Sequence, residues 1–127
     1  MDIHTNISLK KYTTMRLGGD ARFMTDVHTR EEVAEVCRNA RTQNLPIFIL
    51  GGGSNVIVRD EGFDGIIVLN KISGFEVLKD EPGTVTIKIG AGENWDNVVK
   101  RTVDMNLSGI EAMSAIPGTA GAAPVQN

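Results

Sequence analysis

The chain has 127 residues, of which 41% are hydrophobic and 23% charged, with a formal net charge of −3. These are the proportions of an ordinary globular protein with room for one core or two small lobes. The acidic balance, with no Lys/Arg cluster interleaved with aromatics, argues against nucleic acid as a partner.

Reading from the N-terminus, Met1 to Asn6 lacks a basic region followed by an apolar one, and no later run reaches the roughly 20 apolar residues of a membrane span. A cytoplasmic location without membrane association is therefore expected. Asn6 to Gly19 is polar and aperiodic and is expected to wrap a surface, with Gly18-Gly19 turning into a strand at Ala21-Arg22-Phe23-Met24. Arg16 is expected to be solvated rather than ligand-bound. Thr29-Arg30-Glu31-Glu32 is a capping box, in which the Thr29 and Glu32 side chains each reach the other's backbone N–H. Val33, Val36, Cys37 and Ala40 follow at helical spacing, which predicts a helix ending near Asn44 and a buried core role for Cys37. His4 and His28 have no partner at metal-ligand spacing, so no metal site is expected.

Pro46-Ile47-Phe48-Ile49 reads as a strand, and Leu50-Gly51-Gly52-Gly53-Ser54-Asn55 as a loop leading into a second strand, Val56-Ile57-Val58. Consecutive glycines allow close backbone approach, and successive N–H groups in such a turn can converge on an anion. A phosphate or pyrophosphate is the natural occupant; a ligand-free turn is the alternative. A P-loop would require Lys then Ser or Thr after the last glycine, and a dinucleotide fingerprint would require Gly or Ala at position 56, where Val56 stands. Neither fits.

Asp60-Glu61-Gly62-Phe63-Asp64-Gly65 is a turn before a buried strand at Ile66 to Leu69, and a first lobe of βαββ type is expected to end at Asn70. From Ser73 the pattern alternates: Phe75 and Val77, a turn at Glu81-Pro82-Gly83, then Val85, Ile87 and Ile89 predict a hairpin with one wet face. Asn94 is an N-cap, and Trp95, Val98, Val99 and Thr102 form one side of a second helix with Trp95 in the core. In the last stretch, Ile116 to Ala123 is rich in small residues that permit flat packing against a planar ligand or another segment. Pro117 at a helix N1 position would leave the Gly118 and Thr119 N–H groups free for an anion; a helix start touching no ligand is the alternative.

The two glycine-rich turns, Leu50 to Asn55 and Ile116-Pro-Gly-Thr-Ala-Gly-Ala-Ala-Pro-Val-Gln-Asn127, together resemble the UDP-N-acetylenolpyruvoylglucosamine reductase (UDP-N-acetylmuramate dehydrogenase) family. Thr14-Met-Arg-Leu-Gly-Gly19, Asp60 to Gly65 and Gly90-Ala-Gly-Glu-Asn-Trp95 match in family order along the whole chain. The resemblance implies an α+β fold of the vanillyl-alcohol oxidase type, with two small α/β lobes at residues 1–70 and 71–127, the second incomplete. It implies FAD as cofactor, held by Leu50, Gly51, Gly52, Gly53, Ser54 and Asn55 and by Ile116, Pro117, Gly118, Thr119, Gly121, Ala122 and Ala123. NADPH would be the hydride donor and a UDP-sugar the substrate in the full-length enzyme. The family's catalytic residues are expected downstream of Asn127, so the chain alone is expected to be inactive, with exposed strand edges that favour self-association. A stand-alone phosphate-compound binding module and a flavin oxidase of the same fold are the alternatives.

Overall fold

In the computed structural model, residues 2–126 are described, and the chain divides into two compact units, Met1–Lys71 and Ile72–Asn127. The first contains four strands and a helix: β1 (Ile3–Ser8), β2 (Asp20–Val27), α1 (Arg30–Thr42), β3 (Ile47–Leu50) and β4 (Phe63–Asn70). They form a sheet of order β1-β2-β4-β3, in which β4 runs parallel to both neighbours and β1 is antiparallel to β2. The central strand explains the arrangement. Ile66, Ile67, Val68 and Leu69 are all buried, a continuous apolar run suited to a strand covered on both faces. Burying each such side chain contributes about 2 kcal/mol.

Ile66 and Val68 pack with Val27, Val36 and Ala40 under α1, while Ile67 and Leu69 pack on the other face with Leu9, Ala21, Met24 and Leu50. The capping box forms: Thr29 Oγ1 accepts from the Glu32 N–H (3.1 Å), and Glu32 Oε2 accepts from the Thr29 (3.2 Å) and His28 (2.6 Å) N–H groups. At the other end Asn44 takes φ 53°, its N–H donates to the Arg41 carbonyl, and the Leu45 N–H donates to the Ala40 carbonyl. That is a Schellman closure, which satisfies the last carbonyls of the helix and turns Leu45 toward the core.

Three expectations for this unit are corrected. The polar N-terminal stretch contains a strand, β1, which adds an edge to the expected βαββ set; its exposed side chains give no apolar signal. Cys37 is exposed, because the buried stripe of α1 runs through Val36 and Ala40 and one residue on a helix rotates the side chain by about 100°. Val56 to Val58 pairs with no strand; Val56 and Val58 pack on the core while Ile57 is 75% exposed.

The second unit is a hairpin, β5 (Phe75–Glu81) and β6 (Thr84–Ile89), followed by α2 (Trp95–Asp104) and a short helix, α3 (Ala123–Gln126). Trp95, Val98, Val99 and Ala123 form its core, against which Phe75, Ile89, Ile110, Met113, Ile116 and Ala120 pack. The Asn94 side chain caps α2 by accepting from the Asn97 N–H (3.0 Å). The helix ends as α1 does, with Asn106 at φ 57° and the Leu107 N–H donating to the Thr102 carbonyl (3.0 Å). No helix among the described residues is long and apolar enough to cross a membrane.

Candidate functional site: two backbone segments with free amides

The first glycine-rich segment leaves β3 at Leu50, which is buried as the last residue of the strand. Gly53 is the residue that fixes the loop. It takes φ +69°, and a Cβ at that position would lie 1.9 Å from the Tyr12 carbonyl oxygen. Only glycine permits both the left-handed backbone and the close approach. The Thr14 N–H donates to the Gly53 carbonyl (3.0 Å), so residues 12–14 clamp the loop from its carbonyl side. The polar stretch continues as a backing layer, with the Gly19 N–H donating to the Arg59 carbonyl at 2.8 Å and the Gly62 N–H to the same oxygen at 3.0 Å. Among the described residues, the N–H groups of Gly51, Gly52, Gly53, Ser54 and Asn55 donate to no protein acceptor. Gly52 and Asn55 are exposed, and Gly51 and Ser54 half-buried.

The second segment is built differently. Pro117 does not open a helix, since α3 begins only at Ala123. Residues 117–121 lie antiparallel to the turn before α2, bridged at Asn94 and Thr119. The Trp95 N–H donates to the Gly118 carbonyl (3.1 Å), the Ala120 N–H to the Glu93 carbonyl (2.8 Å) and the Gly121 N–H to the Ala91 carbonyl (2.9 Å). A Cβ on Gly121 would lie 2.8 Å from the Ala91 Cβ, so the two turns are in backbone contact. The Thr119 carbonyl accepts from the Ala122 and Ala123 N–H groups, both at 3.0 Å. Among the described residues the N–H groups of Ile116, Gly118 and Thr119 donate to nothing. Gly118 and Thr119 thus keep the free amides expected of them, in a turn and not at a helix start. Ala122 is half-buried, whereas Ala123 sits in the core.

The polar frame around this segment was not singled out as functional in the sequence, although Gly90 to Trp95 carried part of the resemblance. Glu93 Oε1 accepts from the Gly74 N–H (2.7 Å), tying the turn to the hairpin. Asp96 Oδ1 accepts from the Ala115 N–H (2.6 Å) and the Ser114 hydroxyl (3.0 Å). These bonds, the Ala115 N–H first, hold the Asp96 carboxyl below the ordinary carboxylate range. Ala115 takes φ 62° there, directly before Ile116. The Trp95 indole N–H donates to the Met113 carbonyl (3.2 Å), fixing the chain on the other side of that bend.

The sequence profile of the FAD binding domain family matches residues 22–127, and the chain belongs to that family. Among known proteins it is similar to UDP-N-acetylenolpyruvoylglucosamine reductases. That of Salinispora arenicola is 40% identical over 128 residues, 99% of this chain and 35% of the relative; that of Thermobifida fusca is 40% identical over 122 residues, 96% of this chain and 34% of the relative. The crystal structure of UDP-N-acetylenolpyruvylglucosamine reductase from Thermus caldophilus superposes with a TM-score of 0.68 at 30% identity, covering 96% of this chain and 40% of that one. The chain therefore spans about a third of the length of these reductases, and its fold is that of their FAD-binding part.

Two outcomes follow from the backbone geometry. Gly53→Ala forces a Cβ onto the Tyr12 carbonyl and a side chain into left-handed backbone; it should lower the stability of the first unit by about 3 kcal/mol. Urea denaturation followed by the fluorescence of Tyr12, the only tyrosine, measures this, and a loss below about 0.5 kcal/mol would contradict the clamp. Asp96 is depressed in the folded state, so its carboxylate stabilises above its ordinary value of 3.8 and that contribution is lost as pH falls through the lowered folded value. Asp96→Asn should therefore narrow the gap to the parent protein in acid and widen it toward neutrality. The readout is Trp95 fluorescence, and a gap independent of pH would show that the charge is not used.

Proposed function

We propose that this chain is the FAD-binding part of a UDP-N-acetylenolpyruvoylglucosamine reductase, and that both glycine-rich segments serve one FAD. The observation that carries the reading is the set of unpaired N–H groups at Gly51 to Asn55 and at Gly118 and Thr119. Consecutive main-chain donors, fixed through the carbonyls of Gly53, Gly118 and Thr119, suit the negative oxygens of a pyrophosphate, and they need no cationic side chain. Leu50 anchors the first segment to the sheet, and the Ser54 hydroxyl and Asn55 amide add donors at its end. In the second, Pro117, Gly121 and Ala122 offer a surface with little side-chain bulk, suited to lie along the flat parts of the cofactor, while Ile116 and Ala123, expected there too, pack into the core of the unit and hold the segment from behind.

FAD held by these segments would supply hydride transfer, from NADPH to one carbon of the enolpyruvyl double bond of a UDP-sugar, with a proton added at the other carbon, giving UDP-N-acetylmuramate for peptidoglycan synthesis in the cytoplasm. This chain's own residues bind and orient the cofactor's phosphates. No described residue is assigned to hydride or proton transfer. The chain alone should bind FAD weakly and turn over nothing, because hydride transfer requires donor, flavin and acceptor held in register with water excluded.

Calorimetric titration with FAD, FMN, ADP and a UDP-sugar tests this. FAD should bind at least about tenfold more tightly than ADP, about 1.4 kcal/mol, and NADPH should not be oxidised with the UDP-sugar present. ADP binding as tightly as FAD would favour a general phosphate-binding module, and an absence of FAD binding would remove the reading.

A further inference from the structure

Asn6, Asn44 and Asn106 take positive φ, a region that the short amide side chain of asparagine tolerates. Ala115 takes it too, at φ 62°, with no polar side chain to help. For alanine that backbone is disfavoured by about tenfold, so something outside the residue holds it. The Ser114 N–H donates to the Glu111 carbonyl (3.2 Å), which fixes the peptide before the turn. The peptide that enters Ala115 is held by Asp96, whose Oδ1 accepts from the Ala115 N–H (2.6 Å) and from the Ser114 hydroxyl (3.0 Å). An ionised acceptor makes such a bond stronger than a neutral one. Asp96 also lies in the first turn of α2, where the helix end favours a negative charge.

Beyond this bend the next hold on the backbone is the Gly118 carbonyl, bonded to the Trp95 N–H (3.1 Å). Between the two, the Ile116 and Pro117 carbonyls and the Ile116 and Gly118 N–H groups have no partner among the described residues. Ile116 is tied there through its side chain, which packs on the core of the unit. The course of the backbone from Ile116 to the Gly118 N–H is therefore set by the Ala115 turn on one side and the Trp95 bond on the other. The Thr119 N–H belongs to the same peptide as the Gly118 carbonyl, so the Trp95 bond places it without help from Asp96.

We propose that Asp96 is a positioning residue for the cofactor: by holding Ala115 in its left-handed turn, it presents the backbone from Ile116 to Gly118 to FAD. This rests on the reading of the second segment as part of an FAD site. Asp96 acts through the chain it bonds and needs no contact with FAD. Without its carboxylate the left-handed turn becomes one conformer among several, and the apparent affinity falls by the fraction of chains that keep it. A conformer disfavoured about tenfold gives a loss of about tenfold.

An amide-resolved titration of the 127-residue chain with FAD reads this at the residues concerned. Asp96→Ala should raise the Kd for FAD about tenfold. Before FAD is added, it should shift the amide signals of Ala115, Ile116 and Gly118 and leave those of Val98 and Val99, within α2, in place. Asp96→Asn keeps an oxygen within reach of the Ala115 N–H and should recover most of the affinity. Ser114→Ala removes only the hydroxyl and should bind FAD as the parent chain does. In the unsubstituted chain FAD should slow hydrogen exchange at the Ala115 amide more than at the Asn97 amide, because binding suppresses any opening that abolishes it. Parental affinity in Asp96→Ala would overturn the assignment. So would exchange at Ala115 that FAD leaves unchanged, a result that stands even if the variant fails to fold. If the unsubstituted chain binds no FAD, the reading of the segment as a cofactor site fails, and the role of Asp96 with it.

Discussion

In each unit of this chain one short run of backbone is held by its carbonyls and left free at its amides. The Gly53 carbonyl is taken by Thr14, and the Gly118 and Thr119 carbonyls by Trp95, Ala122 and Ala123, while the N–H groups of Gly51 to Asn55, Gly118 and Thr119 have no partner among the described residues. Unpaired amide donors are tolerable only where water or a ligand reaches them. A backbone sorted in this way is a fixed array of positive dipole ends, already oriented before anything binds. Its cost is met by the scaffold behind it.

That scaffold explains why the two segments need such different neighbours. In the first unit the loop springs from a strand end whose residue is buried, and the polar chain between β1 and β2 is folded back as its clamp. In the second unit there is no strand to spring from, and the segment is instead paired with the turn that caps α2. Glu93, Asn94 and Asp96, within four consecutive residues, each bond a different piece of chain: the residue before the hairpin, the helix start and the bend before Ile116. One acidic and amide-rich turn thereby sets the position of the whole terminal stretch. The match to the reductases extends over these features together, and that to the FAD binding domain family over those from residue 22 onward, which no single glycine turn would have established.

Much of this was legible in the residues. The capping box at Thr29, the Asn94 cap, the alternating hairpin and the continuous apolar run of β4 are local signals, and each element appears where its signal lies. The glycine loop was readable as a loop because three consecutive glycines interrupt the apolar run that ends at Leu50. What escaped depended on contacts distant in sequence. β1 has few buried side chains and is a strand only because β2 offers an edge. Val56 to Val58 has strand composition but serves as a lid on one face of the sheet. The apolar spacing of α1 points to Cys37 as a core residue, whereas Val36 carries that turn of the helix inward and Cys37 is exposed. Pro117 fits a helix start by local rules, yet pairing with residues 91–95 keeps that stretch as a turn.

The most direct measurement is an amide-resolved NMR titration of the chain with FAD. If both segments serve one cofactor, the amide signals of Gly52, Gly53, Ser54, Gly118 and Thr119 should move together, along a single saturation curve. Movement of one set alone, or of two sets saturating at different FAD concentrations, would contradict a shared cofactor and leave two separate turns.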